Sequence, residues 1–318
     1  MNVVKEFWAK AGSITMPDDV TMPFWGFAPD PDGAPQLPGP TIEAKVGDDV
    51  RITLHNTLAE PVSMIFPGQD IIPDPVKDEN NTLVSFTQHA LPDGGTVTYS
   101  FRAVRPGTYL YESGSSPEKQ VQMGLYGVLI IRPLDYYPIE STRTAYGIGT
   151  GTGYDIEKII VAGELDSALH EKIAAGLPYD MLNFAPDYFT INGRAYPDTM
   201  NPDNSTSQPY GAAVKTESGK RVLLRLANAG FLTHSLHLSG GFFRVAAGDG
   251  TPLRTYFLDT TYEKTTITIG SGQVYDCIYT AGMPGEIYLY DRELRYTVNA
   301  DRFPGGIMTR LQIVPGRP

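Results

Sequence analysis

Thr41-Ile-Glu-Ala-Lys-Val-Gly-Asp-Asp-Val-Arg-Ile-Thr-Leu-His-Asn56 decides the fold, because the chain contains this stretch twice. Starting 172 positions on, Ala213-Val-Lys-Thr-Glu-Ser-Gly-Lys-Arg-Val-Leu-Leu-Arg-Leu-Ala-Asn228 repeats the glycine, the Val-x-x-x-Leu and the closing asparagine in the same places. In each copy a turn at Gly47 or Gly219 leads into a strand whose alternate residues share a face. Val50, Ile52 and Leu54, and likewise Val222, Leu224 and Leu226, are therefore expected in a core. His55 alternates with Arg51 and Thr53 on the polar face, which predicts an exposed strand histidine.

The duplication continues downstream. Phe101-Arg-Ala-Val-Arg-Pro-Gly-Thr-Tyr-Leu-Tyr111 is echoed by Tyr279-Thr-Ala-Gly-Met-Pro-Gly-Glu-Ile-Tyr-Leu-Tyr290, and each copy closes on an apolar strand, Val128–Pro133 and Met308–Pro315. Two homologous β domains follow, residues 1–133 and 158–318, joined by a link at 134–157. Within that link Tyr146-Gly-Ile-Gly-Thr-Gly-Thr-Gly-Tyr154 reads as a flexible loop. It lacks the following helix of a phosphate-cradling loop, since Ile159-Ile-Val161 has strand character. One short helix is expected at Ser167–Ala175, capped by Asp166 or Ser167, ended by Gly176 and covering a domain edge, with His170 solvated on it.

Composition agrees with an all-β chain. Gly 33, Pro 26 and an aromatic share of 11% accompany short apolar runs that alternate with polar ones. The net charge of −11 leaves no basic stripe for phosphates, so nucleic acid is not an expected partner. No apolar run reaches the ~18 residues of a membrane span. Met1-Asn-Val-Val-Lys-Glu6 shows no cationic region followed by an apolar stretch, so no export signal is read there. The only cysteine, Cys277, lies in a strand before a Pro-Gly turn and is expected to be a buried, inert thiol.

Several fragments, in order, resemble two-domain multicopper oxidases and copper nitrite reductases, which are built from cupredoxin domains. They are Pro38–Ile42, the Gly-Asp-Asp-Val-Arg-Ile-Thr-Leu-His-Asn run, Pro106–Tyr111, Gly124–Ile131, Tyr188–Arg194, His234–Gly240 and Gly305–Met308. The resemblance implies two tandem cupredoxin-like Greek-key β-sandwich domains. It also implies copper held by His-x-His pairs, because alternate strand residues point one way, together with one cysteine thiolate.

The ligand positions carry other residues. The family pattern H-x-H-G falls on Ile65-Phe-Pro67-Gly68, and G-T-Y-W-Y-H-x-H falls on Gly107–Gly114, where Glu112 alone carries a donor. H-P-x-H-L-H-G falls on His234-Ser-Leu-His237-Leu-Ser239-Gly240, and H-C-H falls on Tyr290-Asp291-Arg292. The constant offset independently sets His237 opposite Ile65 and Ser239 opposite Pro67. Copper oxidase activity is therefore not expected, and neither is a bound cofactor.

Two functional readings stay open. The first is a copper-free family member with a binding, structural or assembly role toward an unidentified protein partner; by resemblance it is a trimer. The second is an oxidoreductase or metal-binding protein that keeps copper or zinc at a reduced site of His234, His237 and Glu112, or that uses Glu112, Ser113, Tyr290, Asp291 and Arg292 as acid, base and clamp. The resemblance suggests the periplasm or cell surface; the missing signal leaves the cytoplasm open. His89, in Thr87–Leu91, reads as a loop residue, and Asp70, Asp74, Asp78 and Glu79 read as a solvated acidic loop that matches no calcium-binding spacing.

Overall fold

The computed structural model describes residues 1–139, 143–300 and 302–316. Its first half contributes β1 (Asn2–Thr15), β2 (Thr21–Ala28), β3 (Gly39–Lys45), β4 (Asp49–Asn56), β5 (Val76–Lys77), β6 (Leu83–Ser85), β7 (Thr96–Arg102), β8 (Gly107–Glu112), a single turn α1 (Pro117–Gln120) and β9 (Tyr126–Arg132). The second half contributes β10 (Ile156–Leu165), α2 (Ser167–Ala174), β11 (Tyr188–Ile191), β12 (Val214–Glu217), β13 (Arg221–Asn228), β14 (His234–Leu238), β15 (Phe243–Gly248) and β16 (Thr251–Pro252). It ends with β17 (Tyr262–Lys264), β18 (Thr266–Ile269), β19 (Val274–Thr280), β20 (Gly285–Asp291) and β21 (Met308–Val314).

The repeat seen in the sequence is a repeat of pairing. In the first half the sheets run β2-β1-β4-β7 and β3-β9-β8; in the second they run β11-β10-β13-β19-β15-β16 and β12-β21-β20-β14-β18. Parallel β1–β4 matches parallel β10–β13, down to Ala9 opposite Asn56 and Ala162 opposite Asn228. Parallel β3–β9 with antiparallel β8–β9 likewise matches β12–β21 with β20–β21.

Each half encloses its own apolar cluster. Phe7, Ile52, Leu54, Phe101 and Tyr111 belong to one, and Leu224, Leu226, Leu236, Cys277 and Leu311 to the other. A third cluster joins the halves, with Leu110 and Val128 on one side and Val161, Ala227 and Val274 on the other. Cys277 is fully buried, and burial pushes its thiol pKa well up, in line with an inert role.

Helix α2 forms where the sequence places it, with the Asp166 carboxylate accepting from the Leu169 N–H at 3.0 Å. His170 departs from expectation. It is fully buried, its ring set between the carbonyls of Pro23 (2.7 Å) and Gln122 (3.1 Å), because α2 lies on the first half with Leu169 in that core. An eight-residue helix offers too little periodicity to reveal which face is covered. The glycine-rich stretch is a loop, but not a free one: Tyr146 and Tyr154 are buried against Leu223, Ala246 and Ile278. No helix among the described residues is long and apolar enough to cross a membrane.

Candidate functional site

Strand register sets the candidate positions of the two halves side by side with their partners. Ile65 and Glu112 exchange backbone hydrogen bonds (2.8 and 3.2 Å), and in the second half His237 pairs with Tyr290. These are the same two places in the two repeats. Ile65 and Pro67 line an apolar cavity of 450 Å3 with Met64, Phe66, Ile71 and Phe86. Gly114 and Ser113 in the same half are closely packed. A Cβ built at Gly114 lies 2.7 Å from Cγ2 of Ile65, so a larger residue there requires the isoleucine to move. Ser113 is buried and donates to Oε1 of Gln120 at 2.6 Å.

Glu112 ends the face of β8 formed by Thr108 and Leu110 and lines a cleft of 290 Å3. Burial raises its pKa.

In the second half His234 is fully buried, and both ring nitrogens are taken. Nδ1 donates to Asp291 at 2.8 Å and Nε2 donates to Glu164 at 3.0 Å. Glu164 also accepts from the N–H groups of Phe231 and Leu232, and Asp291 from those of Ser235 and Glu293. Burial pulls the imidazole pKa down, but the hydrogen bonds and charges of Asp291 and Glu164 outweigh it and lift the value to about 9. A doubly hydrogen-bonded imidazolium has no lone pair for a metal.

His237 lies three residues on in the same strand and therefore faces the other way. Its Nδ1 meets Thr266 Oγ1 at 2.7 Å, and its ring stands edge-on to Tyr290 at 5.3 Å. Ser239 is spent on the Tyr288 N–H, whose bond to its Oγ is 2.9 Å. His234, His237 and Glu112 are thus not brought together, and no group of three or more His, Cys, Asp or Glu among the described residues is arranged to hold a metal ion. The donor set fits copper poorly: the aligned positions carry Ile65, Pro67 and Tyr290, both ring nitrogens of His234 are hydrogen-bonded, and the remaining donors Glu112 and His237 lie in different halves and are not grouped.

The remaining candidates are placed simply. His55 is half-buried, stacked on Trp8 and bonded to Glu6 at 2.9 Å. His89 is half-buried in its loop, and burial lowers its pKa. Asp74 is bonded to Gln88, and Asp78 caps its own turn through the Asn80 and Thr82 N–H groups. Arg292 is exposed.

Sequence reasoning missed a charged network between the halves. Arg225, fully buried, binds Glu157 (2.5 Å), Asp276 (3.2 Å) and Thr108 (2.6 Å). Tyr146 donates to Asp276 at 2.5 Å, and Arg132 reaches Glu157 at 2.6 Å. The two guanidinium groups overcome the burial of Glu157 and hold its pKa down at about 2. The available signal was a charge inside an otherwise apolar run, Leu223-Leu-Arg-Leu-Ala227.

Models of the multicopper oxidase family match residues 33–135 and 165–309. Laccase-2 of Thanatephorus cucumeris is 26% identical over 278 residues, which is 84% of this chain and 42% of the laccase. The copper-containing nitrite reductase of Neisseria meningitidis serogroup B is 25% identical over 288 residues, 89% of this chain and 62% of the reductase. The chain thus spans about half the length of these curated relatives. Among solved structures, the blue copper oxidase from Nitrosomonas europaea superposes with a TM-score of 0.76 at 26% identity, covering 98% of this chain and 86% of that one.

Proposed function

The chain belongs to the multicopper oxidase family, and from that premise we propose that it is a member without copper sites, its scaffold serving a binding, structural or assembly role. The observation that supports this reading is the matched register of Ile65–Glu112 and His237–Tyr290, which sets a single donor, Glu112 or His237, in each pair beside a residue that is not a usual copper ligand. The His234 imidazolium, locked between two carboxylates, adds to it.

The division into residues 1–133 and 158–318 belongs to the same proposal, as do trimeric assembly and an extracytoplasmic location. Exposed Phe86 in the wall of the 450 Å3 cavity, with exposed Ile72 between its lining residues Ile71 and Pro73, favours a covered surface. Light scattering that finds only monomer at micromolar concentration removes the trimer, and cell fractionation tests the location.

Elemental analysis after purification and after copper loading, read with absorbance in the blue-copper region, tests the central reading. Below ~0.1 metal per chain and no colour are expected. Stoichiometric metal that disappears in His234→Ala or His237→Ala would overturn it and establish a reduced metal site.

A further inference from the structure

Alternate residues of β8 face the second half of the chain. Thr108 is tied there to Asp276 at 2.7 Å, Leu110 packs in one cluster with Val274, and Glu112 opens into the 290 Å3 cleft. Asp249 lies in the same wall as Gly272 and Val274, with Tyr109 among the lining residues, and no lysine, arginine or histidine lines the cleft. Asp249 commits one oxygen to the Val274 N–H at 2.8 Å. Among the described residues the Glu112 carboxyl meets no hydrogen-bond partner, and burial alone sets its acidity.

Pro67 and Gly68 line both this cleft and the 450 Å3 apolar cavity, so the two adjoin, with Ile65 on one side paired to Glu112 on the other. Two carboxyl groups with no cation, next to an apolar lobe, in a chain of net charge −11, form a complement to one chemistry.

We propose that the paired cavities bind a primary alkylammonium, its head at Glu112 and Asp249 and its chain across Pro67 toward Ile65, Ile71 and Phe86. The apolar lobe sets the preference for an alkyl tail, and the acidic lobe rejects the corresponding carboxylate. This rests on the copper-free reading, since a metal ligated by Glu112 would take the same carboxyl.

The test is calorimetric titration of the full chain, freed of metal with chelator and assayed for metal content, with n-hexylammonium, methylammonium and hexanoate at neutral pH. Saturable binding of hexylammonium is expected, with weaker binding of methylammonium and none of hexanoate. Glu112→Gln, whose side chain keeps the same shape, should weaken hexylammonium roughly tenfold or more, the loss of one charge-assisted contact. Circular dichroism confirms that this variant folds. Failure of hexylammonium to saturate, or equal affinity in Glu112→Gln, overturns the proposal. A metal-free chain that ignores hexylammonium loses only the ammonium site, whereas stoichiometric copper in the purified protein removes the copper-free reading itself.

Discussion

Strands β4 and β13 are the same strand in two copies, yet only one of them alternates. In β4 the inward residues Val50, Ile52 and Leu54 are buried while Arg51, Thr53 and His55 face outward, exposed or half-buried. In β13 every residue from Val222 to Asn228 is buried. The difference lies in what covers the outer face. Thr53 is half-buried and its hydroxyl bonds to that of Thr98 across the sheet at 3.1 Å, while at the equivalent Arg225 the first half supplies Thr108 and the loop supplies Tyr146. A duplicated strand therefore acquires a second buried face when its domain becomes the partner of another, and the charge it carries there must be paired.

The widest gap between the copies is predicted at those two positions. Arg225→Met leaves Asp276 buried without its cation and Glu157 with Arg132 alone, and should cost about 4 kcal/mol, while Thr53→Met should cost within about 0.5 kcal/mol. Urea unfolding of the two variants checks this. A similar loss at both sites would break the comparison, because it would mean that the outer face of β13 is no more committed than that of β4.

A smaller contrast sets the two buried histidines against each other. His234 has a folded pKa of about 9, above the usual 6.5, so its stabilisation is full below pH 6.5 and is lost as pH rises through 9. The shift corresponds to roughly 3 kcal/mol. His170 has its pKa depressed by burial, so its contribution is present above pH 6.5 and is lost as pH falls below it. Denaturation midpoints followed over pH 5 to 10 should fall on the alkaline side for the parent chain, and His234→Gln should flatten that limb alone. An alkaline limb that survives His234→Gln would assign it elsewhere.

How much of this was legible depended on whether a residue answered to local pattern or to long-range packing. The repeat, the core faces of β4 and β13, the capped helix at Ser167 and the burial of Cys277 follow from period and spacing, and all are found. The equivalence of Ile65 and His237 was legible because the offset of the repeat carried it, and the strand pairing of each with Glu112 and Tyr290 agrees. Their surroundings were not legible. Glu164 reads as an ordinary strand carboxylate until β10 and β14 bring it to His234 at 3.0 Å, a separation of 70 residues that no local rule spans. His170 and Arg225 misled or went unnoticed for the same reason: each is buried by the opposite half of the chain.

Where both copies keep the same residue, the comparison predicts equality. Asn56 donates to the carbonyls of Glu60, Ala90 and Leu91, and its Oδ1 accepts from the Leu58 N–H. Asn228 donates to the carbonyls of Leu232 and Ile269, and its Oδ1 accepts from the Gly230 N–H. Each fully buried carboxamide thus ties the end of its strand to the following loop. Asn56→Ala and Asn228→Ala should each cost about 2 kcal/mol through carbonyls left unpaired, read as equal shifts in unfolding midpoint. If one is near neutral, its loop is held by something other than the shared asparagine.

The smallest expected effects fall at the positions that have diverged. Ile65→Ala enlarges a cavity that is already open, so it forfeits contact area without creating a sealed void and should cost about 1 kcal/mol. His237→Ala gives up a half-buried hydrogen bond to Thr266 and an edge contact with Tyr290, about 0.5 kcal/mol. Both values should lie well below those at Asn56 and Asn228, although the four residues occupy two matched pairs of sites in the same repeats. That ordering separates the positions that folding of this architecture requires from those it tolerates in several forms. A His237→Ala loss as large as that of Asn228→Ala would mean the histidine is held for stability, and its place opposite Ile65 would then say nothing about a former ligand.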